Sequence, residues 1–175
     1  MLEEPSCLQI MVYGTPVLHQ KAEEIKDINA DILSLARAMV ATMHSAPGIG
    51  LAAPQVNRGI RLITVDLSVG EKENELIVLL NPEILHRDGS AVMEEGCLSV
   101  PDINDKVIRP QHVVIKGLDL NGNERTIEAE GLQARVFCHE IDHLNGKLFI
   151  DHLSPLKRNL AKKKLRKQLE KAGEE

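Results

Sequence analysis

Aromatic side chains are almost missing from this sequence: no Trp, one Tyr and two Phe make up 2% of its 175 residues. Its core must therefore be built from Leu, Ile, Val, Ala and Met, and a hydrophobic content of 43% is enough for one ordinary globular domain. Cysteine is also scarce. Cys7, Cys97 and Cys138 are too few, and odd in number, for a disulfide framework, so each is inert core, metal ligand or nucleophile. No apolar run is long enough to span a bilayer. The start, Met1-Leu2-Glu3-Glu4-Pro5, is acidic and lacks the basic and apolar parts of a signal peptide. The expectation is a cytoplasmic protein without membrane contact. Internal repeats and low-complexity segments are lacking too.

Charge is present but unevenly placed. The net charge is −5, yet residues 154–175 hold eight Lys or Arg against three Glu, leaving an acidic body of −10. The division expected is a body, 1–153, with an appended basic helix, 154–175. In that helix Ser154 caps, Pro155 takes the first position, and Leu156, Leu160 and Leu165 form a thin apolar face. A solvated helix is the plain reading of such a run, and a phosphate-rich partner is the functional one.

The densest chemistry lies at Phe137-Cys138-His139-Glu140-Ile141-Asp142-His143. Histidines four apart share one helix face, so His139 and His143 can offer two imidazoles to one ion, with Glu140 leaning toward its open side. The pattern alone also occurs in proteins that bind nothing. Here, however, it sits in a helical pattern. Leu132, Val136, His139 and His143 form one stripe, and Ala134, Phe137, Ile141 and Leu144 form a second, apolar one. A helix apolar on two sides belongs in a core, where Arg135, Glu140 and Asp142 need partners. Asn145-Gly146 ends it.

Elsewhere a helix is expected over Asn29–His44, stopped by Ser45-Ala46-Pro47-Gly48. Gly48-Ile49-Gly50-Leu51-Ala52-Ala53-Pro54-Gln55 is poor in side-chain bulk. It reads as a turn before a buried strand, or as backbone that a peptide approaches as an added strand. Strands are expected at Ile60–Val65 and at Leu76–Leu80, the latter stopped by Asn81-Pro82. Two hairpins are expected, around Asp88-Gly89 and around Asn121-Gly122. Adjacent hairpins argue for antiparallel sheet. Cys97 lies in a short Gly-containing turn, unlike an inert core Cys. As a thiolate it can be the third ligand and leave one position open.

Three segments together resemble the peptide deformylase family: Gly48–Gln55, Glu95-Gly96-Cys97-Leu98-Ser99, and His139–His143, in that order and over roughly residues 10–153. The resemblance implies an α+β fold, with antiparallel β-sheets packed around a central metal-binding helix and a C-terminal helix added. It implies hydrolysis of the formyl group from the N-terminal formylmethionine of new polypeptides. Fe²⁺ is the metal it implies, with Zn²⁺, Ni²⁺ or Co²⁺ as substitutes, held by Cys97, His139 and His143. Hydroxide formed at the metal attacks the formyl carbon. Glu140 is general acid/base, and Gln55 with the Leu98 N–H stabilises the oxyanion. Gly50 contacts substrate through its backbone, and Ile49, Leu98 and Val136 line the methionine pocket, which Cys138 either lines too or stands behind as plain filling. Glu95 is expected to pair with Arg109 and fix the Cys97 turn, and Asp142 to orient a ligand His. The basic helix is expected to meet the ribosome.

The chain departs from the family pattern at two places: Cys138 stands where many members have Gln, and Asp102-Ile103-Asn104-Asp105 lacks an Arg that some relatives direct at substrate. Rival readings are a zinc endopeptidase of the H-E-x-x-H type and a non-enzymatic metal-stabilised RNA-binding module. The second leaves Glu140 and Gln55 without a purpose.

Overall fold

The computed structural model describes residues 5–173, so the acidic start, residues 1–4, and Glu174 and Glu175 lie outside it. Helix α1 spans Ala30–Ser45, capped by Asn29, whose side chain accepts from the Ile32 N–H at 3.1 Å. Strands follow as β1 (Gly50–Ala52), β2 (Leu62–Val65), β3 (Ile77–Asp88), β4 (Ala91–Cys97), β5 (Val100–Arg109), β6 (His112–Leu118) and β7 (Glu124–Glu130). Helix α2 spans Gly131–Leu144 and α3 spans Pro155–Gly173. One antiparallel sheet has the order β1-β2-β3-β6-β7, and β4 pairs with β5 in a separate ribbon. This is the α+β architecture expected.

Helix α2 is central, as its second stripe requires. Ala134, Phe137, Ile141 and Leu144 are all buried, against Ile63, Val65, Leu79, Val113 and Ile115 of the sheet. Ile32, Leu35, Ala36, Met39 and Met43 of α1 pack on the other face, against Leu51, Leu62 and Leu80. Strand β2 lies between the two helices, which is why all four of its residues are buried. Arg61 Nη1 donates to the Leu144 carbonyl at 3.0 Å, satisfying the C-terminus of α2, and Gly146 adopts the left-handed conformation (φ 73°).

Three expectations need correction. Asn81-Pro82 does not stop a strand: β3 runs on to Asp88 with a register irregularity between Leu80 and Glu83. Asn81 takes φ 51°, and its side chain bonds both the N–H and the carbonyl of Ile25, so a local kink absorbs the proline. Asp88-Gly89 turns the chain but makes no hairpin, because Asp88 pairs with His112 of β6 while β4 leaves for the ribbon. The Asn121-Gly122 hairpin forms as expected between β6 and β7. In α3 the three leucines do not share a face. Positions 156 and 165 are nine apart, half a rotation at about 100° per residue. Ala161 and Leu165 are buried, whereas Leu156 and Leu160 are exposed. Lys157 also pairs with Asp105 at 2.8 Å, and Lys164 Nζ donates to the Asp102 carbonyl at 2.6 Å, seating the helix on β5.

Candidate metal centre

Cys97 is the last residue of β4, and the Leu98-Ser99 turn leads into β5. Gly96 before it leaves space that the Asn104 side chain fills: a Cβ there would lie 2.2 Å from Asn104 Oδ1, which would have to turn aside. From the other side, α2 presents His139 and His143 one turn apart. Cys97 Sγ lies 3.3 Å from His143 Nε2, which is 3.3 Å from His139 Nε2, and the three donor atoms all fall within 4.8 Å of one another. A tetrahedral ion with bonds of about 2.0–2.3 Å needs donors roughly 3.3–3.8 Å apart. The residues therefore fit a divalent cation with one sulfur and two nitrogen ligands. Among the described residues this is the one such group.

A charged network sets the ligands. Glu95 Oε1 lies 2.8 Å from His139 Nδ1, which turns the Nε2 of that ring toward the sulfur. Arg109 binds Glu95 with both Nε (2.9 Å) and Nη2 (3.0 Å). Arg135 adds Nη1 to Glu95 Oε2 at 2.6 Å and also donates to the carbonyls of Val107 and Ala91. Burial alone would raise the Glu95 carboxyl, but His139 and Arg109 hold it far below the usual carboxylate range. The expected Glu95–Arg109 pair is present. Asp142 departs from expectation: it touches neither ligand His, and instead pairs with Arg109 and with His152 Nε2 at 2.7 Å. Its position on the helix turns it away from the donor face, and Glu95 does the orienting from another strand.

The two rings differ. Burial lowers His139, but the Cys97 sulfur and Glu95 outweigh it and favour its protonated form. Burial and the neighbouring His139 push His143 strongly toward neutral.

Glu140 is buried, and its Oε2 has no hydrogen-bond partner among the described residues. Burial raises its carboxyl to about 7, with His139 and Arg109 pulling against that rise. A Cβ on Gly50 would lie 2.6 Å from Glu140 Oε1 and 2.8 Å from Val136 Cγ1, so the glycine leaves room for the carboxylate. Gln55 sits in a short 3-10 turn, Ala53–Val56. Its Oε1 accepts from the Ala52 N–H at 3.0 Å, and its Nε2 donates to Ser99 Oγ at 3.2 Å, 3.6 Å from Cys97 Sγ.

A cleft of about 520 Å³ opens above these groups, lined among others by Ile49, Gly50, Gln55, Leu98, Val136 and Glu140. Ile49, Gly50, Gln55, Cys97, Leu98, Val136, His139 and Glu140 border this cleft, and His143 completes the donor cluster. Cys138 does not line the cleft: it is buried in the core beside the sheet, which pushes its thiol up. The sequence reading missed Leu132, exposed at the cleft wall, and the part played by Arg135, although a charge on a doubly apolar helix was its signal. It also passed over residues 8–26. The Met11 N–H donates to the Gln55 carbonyl at 2.7 Å and the Tyr13 N–H to the Ser99 carbonyl at 2.8 Å, tying two site segments together. Nothing in the periodicity of that stretch marks it.

The chain is similar to known proteins in sequence and in fold. The family model described as polypeptide deformylase matches residues 7–159. A peptide deformylase of Thermodesulfovibrio yellowstonii is 52% identical over 159 residues, covering 91% of this chain and 96% of its own. The crystal structure of a peptide deformylase from Legionella pneumophila superposes with a TM-score of 0.89 at 40% identity, covering 97% of this chain and 99% of that one. A peptide deformylase from Ehrlichia chaffeensis in complex with actinonin gives 0.85 at 37% identity, covering 93% and 98%.

Proposed function

The chain belongs to the polypeptide deformylase family, and from that membership we propose that it removes the formyl group from the N-terminal formylmethionine of new polypeptides and releases formate. The observation that carries this reading is the pairing of three convergent donor atoms with a buried, unpartnered carboxylate oxygen of Glu140 at the floor of an apolar cleft.

Cys97, His139 and His143 would hold the ion, for which we propose Fe²⁺, with Zn²⁺, Ni²⁺ or Co²⁺ able to substitute. When bound, such an ion acidifies water and draws electron density from the formyl oxygen. Glu140 takes the water proton at its free Oε2 and returns it to the leaving amine nitrogen as the C–N bond breaks, leaving formate and a free methionine amine. Charge developing on the formyl oxygen meets the Gln55 amide and the Leu98 N–H, and loss of one such donor costs about a hundredfold or more in rate. The methionine side chain lies among Ile49, Leu98, Val136 and Leu132. The peptide runs along the Gly48–Gly50 edge, where backbone pairing is indifferent to the residues that follow.

Formate release from a formyl-Met tripeptide by anaerobically purified protein, with metal analysis of the same sample, tests the reading. Cleavage of internally blocked peptides would instead favour an endopeptidase. We propose a cytoplasmic location and, as a second partner, the ribosome, met through the basic face of α3. No helix among the described residues is long and apolar enough to cross a membrane.

A further inference from the structure

One wall of the cleft is a short loop with little side chain, Ala46-Pro47-Gly48-Ile49, between the end of α1 and the start of β1. A glycine at 48 beside the exposed Pro47 would leave such backbone loose. Its α1 end is closed by helix-type bonds, Ala46 N–H to the Thr42 carbonyl and Gly48 N–H to the Met43 carbonyl. The two flanks of the wall are then joined by a residue from another part of the chain. The Asp66 N–H donates to the Ile49 carbonyl at 2.9 Å, and Asp66 Oδ2 lies 2.7 Å from His44 Nε2.

The Asp66 carboxylate is not an incidental surface acceptor. Its side chain is 1% exposed, and it also accepts from the Ser68 N–H (2.9 Å), Ser68 Oγ (2.7 Å) and the Gly70 N–H (2.9 Å). The loop it organises holds Val69 at φ 54°, a conformation that a β-branched residue keeps only when its surroundings over-determine it. Gly70 packs under the imidazole, since a Cβ there would come within 3.2 Å of His44 Nδ1. His44 is thus held from below and tethered from the side, with a rigid acceptor as its partner.

We propose that His44 and Asp66 are positioning residues: a clasp that closes both ends of the 46–49 wall and so sets the backbone edge and the Ile49 side chain that receive the formylated peptide. Neither touches the donor cluster, so the clasp acts on substrate affinity rather than on the ion or the proton transfer. The inference rests on the deformylase reading above.

The test compares metal-loaded variants on a formyl-Met tripeptide. His44→Ala raises KM roughly tenfold, the scale of one hydrogen bond to a charged group, while kcat and metal content stay within about twofold. His44→Gln, whose amide reaches nearly as far as Nε2, recovers most of the loss. Ser68→Ala removes a bond from the same carboxylate but frees neither end of the wall, and leaves KM unchanged. Amide exchange at Gly48 speeds up in His44→Ala and not in Ser68→Ala. An unchanged KM in His44→Ala, an equal rise in Ser68→Ala, or a loss carried by kcat and metal content would each overturn the clasp. Absence of formate release by the unaltered protein would instead overturn the reading it rests on.

Discussion

Glu140 shows how much one buried carboxylate decides. Its proton affinity is raised by burial to about 7, so in the metal-free protein ionisation is opposed by the fold. The sign follows from linkage: a carboxyl whose folded value lies above its unfolded one costs stability as pH rises through the folded value. Metal-free Glu140→Gln should therefore gain more in Tm over the unaltered protein at pH 8 than at pH 5, measured by thermal unfolding. In the metal-loaded enzyme the same variant should lose kcat by on the order of a hundredfold or more while keeping its metal. Gly50→Ala pushes a methyl against that carboxylate and should lower kcat/KM by roughly tenfold to a hundredfold, again at unchanged metal content. Glu95 is the opposite case. Removing it as Glu95→Ala leaves Arg135 buried without a carboxylate and Arg109 with Asp142 alone, which costs about 3–5 kcal/mol for a buried pair broken on one side. Metal occupancy should fall with it, read by denaturant unfolding and metal analysis.

At the scale of the element, legibility followed periodicity. Helix α2 and both of its stripes could be read directly, because a helix facing a core on one side and a cleft on the other needs two apolar rows. Strand β5 could not. Val100–Arg109 carries Asp102, Asp105, Lys106 and Arg109, and its inward positions alternate between apolar side chains and ion pairs that only α3 and β4 explain. The Asp88-Gly89 turn was visible but its strand partners were not, since local turn chemistry does not say which sheet each arm will join. In α3 three leucines suggest one apolar face, but a turn of about 100° per residue puts Leu165 opposite Leu156. The outcome can be measured: Leu165→Ala should destabilise by about 2–4 kcal/mol as a fully buried truncation, whereas Leu156→Ala, at a position 71% exposed, should change stability little.

Across the whole molecule the donors come from distant parts of the chain: a ribbon end supplies the sulfur and one helix supplies both imidazoles. The motifs announced which residues would meet, but not the Met11 and Tyr13 contacts that bind those segments to each other. The charge split also belongs to this scale. If α3 meets ribosomal RNA, replacing the exposed Lys163, Arg166 and Lys167 together by Ala should weaken ribosome binding and flatten its dependence on log salt by about two to three, at 0.7–0.9 per phosphate contact. Formyl-Met turnover should be unaffected. Substitution is the cleaner probe, because deleting the helix would also uncover Val100, Phe149 and Ile150, which pack with Ala161 and Leu165.

The shortage of aromatic side chains leaves Tyr13 as the sole tyrosine in a chain with no tryptophan. Its main chain is bonded to the Ser99 carbonyl, two residues beyond Cys97, and its ring sits edge-on to His19. Tyrosine emission from this protein therefore comes from one corner of the molecule, directly behind the Cys97 turn. Any rearrangement there, whether on oxidation of Cys97 or on treatment with a chelator, should be visible as a change in the emission of that one tyrosine.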